Sequence, residues 1–127
     1  MLTSQDKQVV RGILKKVKAT HWVKRHYRMI KRAGLPEPKE CHCLVGHVNA
    51  AVGGVPHDWP SSGYRLLRRY RIREAGVEEV KLQQRDRILQ AIERKLGVSI
   101  GWIEHWNDAP ERTREDVERV LEEVLKS

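Results

Sequence analysis

"WNDAPERTREDV", residues 106–117, admits two readings. Its Trp, Asn, Asp, Arg and Thr are residue types of a catalytic loop, and equally those that turn a chain and start a helix. The second reading explains every one of them. Thr113 stands three residues before Asp116, the spacing of a capping box with Asp in place of the commoner Glu. Glu115 and Asp116 fall in the first turn, where the helix dipole favours anions. Asn107 and Asp108 suit an Asx-type turn, and Pro110 fixes the bend. Arg112 is placed to reach Asp108 and close the loop. The catalytic reading needs a second cluster of acid, base or nucleophile, and the sequence offers none beside it. Trp106, Asn107, Asp108, Pro110, Arg112 and Thr113 are therefore expected to be scaffold.

Working outward, Val117, Val120, Leu121, Val124 and Leu125 make an amphipathic helix with an acidic outer face. Upstream, "VSIGWIEHW" (98–106) alternates Ile100, Trp102, Glu104 and Trp106 against Gly101, Ile103 and His105, which predicts a short strand. Its partner would be the stretch from His21 to Tyr27, in a two-stranded antiparallel sheet. Trp102 and Trp106 are expected as packing anchors, since Trp contributes most with its bulk buried and its N–H bonded.

Four further helices are expected. Thr3 or Ser4 caps the first, with Val9, Val10, Ile13, Leu14 and Val17 inward and Lys7, Arg11, Lys15 and Lys18 on the opposite face. Residues 40–53 place Cys41, Leu44, Val45, Val48, Ala51 and Val52 on one side, and Cys43, Gly46, His47 and Ala50 on the other. Such a helix, apolar on one face and small on the other, belongs at the centre. After a "VPHDWPSSG" loop, Tyr64, Leu66, Leu67 and Tyr70 define a helix whose other side carries Arg65, Arg68, Arg69 and Arg73. Leu82, Ile88, Leu89, Ile92 and Leu96 define another, stopped at Gly97. The predicted fold is one mainly α domain over residues 1–127, about five helices, with α+β character limited to that small sheet.

"CLVGHVNAAVGG" (43–54) and "IEHWNDAPERTREDVERVLEEVL" (103–125) resemble an uncharacterised family of small proteins from actinobacteria and their phages. Its members share a Cys-Leu-x-Gly helix with small residues and a C-terminal Trp-Asn-Asp-Ala-Pro-x-Arg-Thr helix start. "HW" at 21–22 is loosely similar to a third short stretch. The resemblance implies a fold and an origin, and no reaction. A strongly basic first half departs from the family's usual look.

That basic half is the functional lead. The 127 residues carry a net charge of +8, yet residues 1–73 alone hold a net of +12. Between 15 and 32 stand Lys15, Lys16, Lys18, Lys24, Arg25, Arg28, Lys31 and Arg32, with Trp22, His26 and Tyr27 interleaved and no acid. Together with Arg65, Arg68, Arg69 and Arg73 they form a surface suited to a phosphate backbone, aromatics stacking on bases. No named nucleic-acid-binding motif accompanies them. The expected partner is nucleic acid; the alternative is an acidic host protein surface.

Other constellations are weaker. Cys41 and Cys43 point apart on a helix and cannot share a zinc ion. Cys43 and His47 could, but only with two ligands from elsewhere; no metal or cofactor is expected. Glu104–His105 and His57–Asp58 lack any phosphate loop or nucleophile elbow beside them, so no enzyme is expected. No apolar run nears the roughly 18 residues of a membrane span. The start lacks the order of a secretion signal, which predicts a cytoplasmic protein.

Overall fold

The computed structural model describes residues 2–22, 43–52, 78–98 and 100–127. Among them are five α-helices and no strand: α1 (Ser4–Lys16), α2 (Leu44–Ala51), α3 (Glu79–Leu96), α4 (Ile100–Asp108) and α5 (Arg114–Leu125). The arginine-bearing segment at 65–73 lies outside the described residues.

α1 begins with a reciprocal cap. Thr3 Oγ1 accepts from the Asp6 N–H at 3.0 Å, and Asp6 Oδ2 accepts from the Thr3 N–H at 2.9 Å. Two of the orphan donors at the helix start are thereby satisfied. Val10 and Ile13 are buried on the inner face. The chain then widens into a π-helical turn, Val17–His21, which keeps Val17 in the core and delivers Trp22 in extended conformation.

α2 is the central helix. Residues 43–49 are buried all round, and α1, α3 and α4 pack against it. It starts later than the 40–53 expected: Cys43 is its N-cap, the thiol sulfur accepting from the Gly46 N–H at 3.3 Å. Residues 40–42 and 53 lie outside the described residues.

α3 buries Leu82, Ile88, Leu89 and Ile92 and ends at Gly97, whose φ of 67° is left-handed. The Val98 N–H closes back on the Glu93 carbonyl at 3.2 Å, and Val98 packs against the core. A side chain at position 97 would meet no atom, so its cost is backbone strain alone. Gly97→Ala is expected to destabilise by about 1 kcal/mol, measured as a urea midpoint shift.

α4 overturns the expected strand, and with it the antiparallel sheet joining 100–106 to 21–27. In "VSIGWIEHW" Glu104 interrupts the bulky register and Ile103 falls in the small and polar one, so period two is broken at both positions. On the helix, Ile103 and Asn107 face inward one turn apart, while Trp102 is turned out and 56% exposed. Trp102 is thus no packing anchor; its ring lies against His105 at 4.7 Å between centroids. Trp106 does pack against the core.

α5 is as expected, with Val117, Val120, Leu121 and Val124 buried against α1, α3 and the π-helical turn. No helix among the described residues is long and apolar enough to cross a membrane.

Candidate functional site

Trp106, Asn107, Asp108, Arg112, Thr113 and Asp116 of the opening dodecapeptide are engaged in structural bonds. Asn107 and Asp108 are the last two residues of α4, not an Asx turn, and the Asn107 side chain is completely buried. Its Oδ1 accepts from the Trp22 indole N–H at 2.6 Å and from the Leu44 backbone N–H at 3.0 Å. Its Nδ2 donates to Asp108 Oδ1 at 3.1 Å. One amide thus ties the π-helical turn's exit, the first residue of α2 and the end of α4. The Leu44 N–H is one of the donors that a helix start leaves without an intrahelical partner, and a buried one must be met from outside.

Pro110 occupies the second position of a four-residue turn, closed by the Arg112 N–H on the Ala109 carbonyl at 2.9 Å. Arg112 does not bond Asp108 as expected. Its guanidinium stacks 4.0 Å from the Trp106 ring centroid, and its Nε donates to the Trp106 carbonyl at 2.8 Å. That places Arg112 as a clip across the turn, with Asp116 3.8 Å from its Nη1. Thr113 Oγ1 accepts from the Asp116 N–H, and Asp116 Oδ2 accepts from the Thr113 N–H at 3.0 Å, completing the capping box. The Thr113 N–H, assisted by Arg112 and Arg119, holds the Asp116 carboxyl below its ordinary value.

Of the expected cationic surface, Lys15, Lys16, Lys18 and Trp22 fall among the described residues. Lys24, Arg25, Tyr27, Arg28, Lys31, Arg32, Arg65, Arg68, Arg69 and Arg73 lie outside them. Trp22 sits apart from the outer stripe: it is half-buried, packs against the core and gives its indole N–H to Asn107. Lys15 is exposed on α1 in line with Lys7 and Arg11, and no carboxylate pairs with any of the three among the described residues. Lys18 meets Glu122 at 3.4 Å, both side chains about half exposed at 54% and 48%. Such a pair is worth under about 1 kcal/mol and leaves the lysine available. By contrast, Arg112, Arg114 and Arg119 all lie within 4 Å of acidic side chains.

Two buried polar contacts escaped the sequence. Asp6 is fully buried, and Arg87 of α3 grips it with Nε on Oδ2 at 2.7 Å and Nη2 on Oδ1 at 2.9 Å. The Arg87 hydrogen bonds, against the opposing effect of burial, hold the Asp6 carboxyl far below the usual carboxylate range. Arg85, also buried, donates from Nε to Asn49 Oδ1 at 2.7 Å and so links α3 to α2. A trace was present: Asp6 falls four residues before Val10, and Arg85 three after Leu82, each on its helix's buried stripe.

Cys43 is buried outside any disulfide and its sulfur caps its helix, with His47 buried one turn on. Among the described residues, no three His, Cys, Asp or Glu side chains converge on one point. A groove of about 300 Å³ beside α3 is lined by Leu2, Arg87, Gln90, Ala91, Arg94, Lys95 and Ser127.

No curated protein and no solved structure matches this chain. One family model does, over residues 1–126, and by that match the chain belongs to DUF6197, a family of unknown function.

Proposed function

We propose that this protein is a non-enzymatic binding protein whose cationic face takes the backbone of a nucleic acid. The observation that carries this is the outer stripe of α1. Lys7, Arg11 and Lys15 recur every four residues, so they share one helix face, and none has a carboxylate partner among the described residues. Lys18, in the π-helical turn that follows, extends the run with a weakly held ammonium group. Four cations over about 16 Å, from the helical rise per residue, match the spacing of several successive phosphates. The sequence carries further cations at 24–32 and 65–73, outside the described residues. Supporting the absence of catalysis, the polar groups of 106–117 are committed to caps, turns and a buried joint. The resemblance of 43–54 and 103–125 to proteins of actinobacteria and their phages supports such an origin, and so a bacterial cytoplasm as the place of action.

Titration of a labelled 20-nucleotide strand across 50–200 mM salt tests this. With six phosphate contacts, affinity is expected to fall by about 10³ on a duplex over that range, and somewhat less on a single strand. Replacing Lys7, Arg11 and Lys15 together by Gln should flatten the slope of log K against log salt by about 2–3. A parent protein that binds neither DNA nor RNA at 50 mM salt contradicts the proposal, as does a triple variant with an unchanged slope.

A second reading rests on Trp102. This large side chain, 56% exposed beside His105, is the type that anchors a protein interface. A host protein would then be the partner. Capture that survives nuclease treatment and is lost in Trp102→Ala would favour it over the first.

A further inference from the structure

We propose, on the nucleic-acid reading of the α1 stripe, that the groove between α1 and α2 takes one unstacked base of a single strand whose phosphates lie along that stripe.

The groove, of about 220 Å³, opens beside the cations. Ile13 and His47, both buried, form its floor, and the half-buried Val9 and Ala50 its walls. Gly12 and Lys16 stand exposed at its mouth. Gly12 falls three residues before Lys15 and four before Lys16, so both are its neighbours on the helix surface. Side chains on a helix lean toward its N-terminus, which carries both ammonium groups back over the Gly12 turn. Neither lysine forms an ion pair among the described residues.

The mouth is net positive. From Lys7 through His21 the chain has no Asp or Glu, and α2 has none. Asp6, the one carboxylate of α1, is fully buried and gripped by Arg87. The C-terminal end of α2, beside Ala51, brings about half a negative charge. α1 runs on into the π-helical turn and presents no such end. Arg11, Lys15 and Lys16 outweigh that half charge.

Gly12 points the same way. It sits inside α1, where glycine weakens a helix relative to alanine. A Cβ there would meet no atom within 4 Å, so no packing within the chain asks for a glycine. What the missing side chain leaves is open space at the groove's mouth, where a ligand can come close to the backbone. The groove is lined chiefly by aliphatic carbon and holds no carboxylate. It is larger than a cavity of about 150 Å³ that holds benzene, and smaller than the roughly 300 Å³ at which sites for whole small molecules begin. One planar base fits that range and a whole nucleotide does not, which leaves sugar and phosphate outside, beside Arg11, Lys15 and Lys16. A duplex keeps its bases stacked within; a single strand can offer one.

Three labelled 20-nucleotide ligands test this at 50 mM salt: a thymidine strand, the same backbone as a stable abasic analogue, and a duplex. The thymidine strand should bind at least about fivefold more tightly than the abasic one. It should also shift the backbone amide resonances of Ala50 and Ala51, on a helix without lysine or arginine. The abasic strand and the duplex should bind through the α1 stripe and leave both amides in place. Gly12→Leu puts a side chain into the mouth and a better helix former into α1, so it should melt no lower than the parent. It should keep the parent's salt slope and bind the thymidine strand no better than the abasic one. Equal affinity for the thymidine and abasic strands, equal shifts at Ala50 and Ala51 with all three ligands, or a Gly12→Leu variant that binds the thymidine strand as the parent does would each overturn the assignment. Salt-dependent binding of the abasic strand would in those cases leave the α1 face standing, so the two readings fail separately. A parent that binds none of the three contradicts both.

Discussion

Asn107→Ala is expected to cost about 2–4 kcal/mol, because it strands two buried donors at once, the Trp22 indole N–H and the Leu44 backbone N–H. For a domain whose total stability is of order 5–15 kcal/mol, that is a large fraction of the whole. The loss should appear as a lower urea midpoint with an unchanged slope, and as altered Trp22 fluorescence before any unfolding. Asn107→Asp is the sharper variant. It keeps an oxygen where Oδ1 stands but replaces the Nδ2 donor with an acceptor, about 3.1 Å from the Asp108 carboxylate. At neutral pH it should be no more stable than Asn107→Ala, and it should recover as acid neutralises one of the facing carboxyl groups. A residue held for chemistry at an open site would behave otherwise: its replacement would leave stability within about 0.5 kcal/mol, as surface changes do.

The second large effect concerns Asp6 and Arg87. Arg87→Met leaves a fully buried carboxylate with the Thr3 N–H and Gln84 as its remaining support, and should cost about 3 kcal/mol at pH 7. That figure is at the low end for a broken buried pair because the Arg87 side chain is itself about a third exposed. Asp6→Asn removes the charge but keeps an oxygen for the Thr3 N–H, and should cost less. The pH dependence has a definite sign. The folded protein holds the Asp6 carboxyl below its unfolded value of 3.8, so the unfolded chain takes up the proton first. The stabilisation is therefore complete above about pH 5 and is lost as pH falls through the unfolded value toward the lower folded one. Urea midpoints of parent and Arg87→Met measured from pH 7 to pH 2.5 should converge on the acid side. A gap that stays constant over that range would show that the bidentate pair is not what stabilises the α1–α3 contact.

The contrast between what the sequence disclosed and what it hid follows the distance over which each signal acts. Thr113 and Asp116 cap α5, Thr3 caps α1, and Gly97 ends α3. Each is a contact within a few residues, where residue type and spacing determine the geometry. α2 was legible as central for the same reason, since a run with little polar surface on any side must be covered on every side. α4 was lost because an alternation broken only at Ile103 and Glu104 fits a short strand as well as it fits a helix. What decides between them is Asn107, whose partners lie 85 and 63 residues away. Asp6 and Arg87 are 81 residues apart, and nothing local names one as the other's partner.

Charge tells a related story. Counted along the chain, positive charge belongs to the first half; in space, Arg87, Arg94 and Lys95 of the acidic half gather on one groove. Folding places α5's carboxylates beside Arg112, Arg114, Arg119 and Lys18, where much of the negative charge is already matched. A tally of residues cannot see which charges are spent. The unspent ones on α1 are the basis of the binding proposal.

One paired measurement separates scaffold from docking face. Melting temperature and strand affinity at 50 mM salt, the latter taken well below any melting transition, would be compared for three proteins: the parent, Arg112→Ala, and the variant with Lys7, Arg11 and Lys15 replaced by Gln. Arg112→Ala loses the Trp106 stack and the carbonyl bond of the turn, so it should melt several degrees lower and bind the strand as the parent does. The triple variant should melt within a degree or two of the parent and bind at least about tenfold more weakly. The opposite pattern, with binding abolished by Arg112→Ala at unchanged stability and untouched by the triple replacement, would place the function in residues 106–117 and contradict the account.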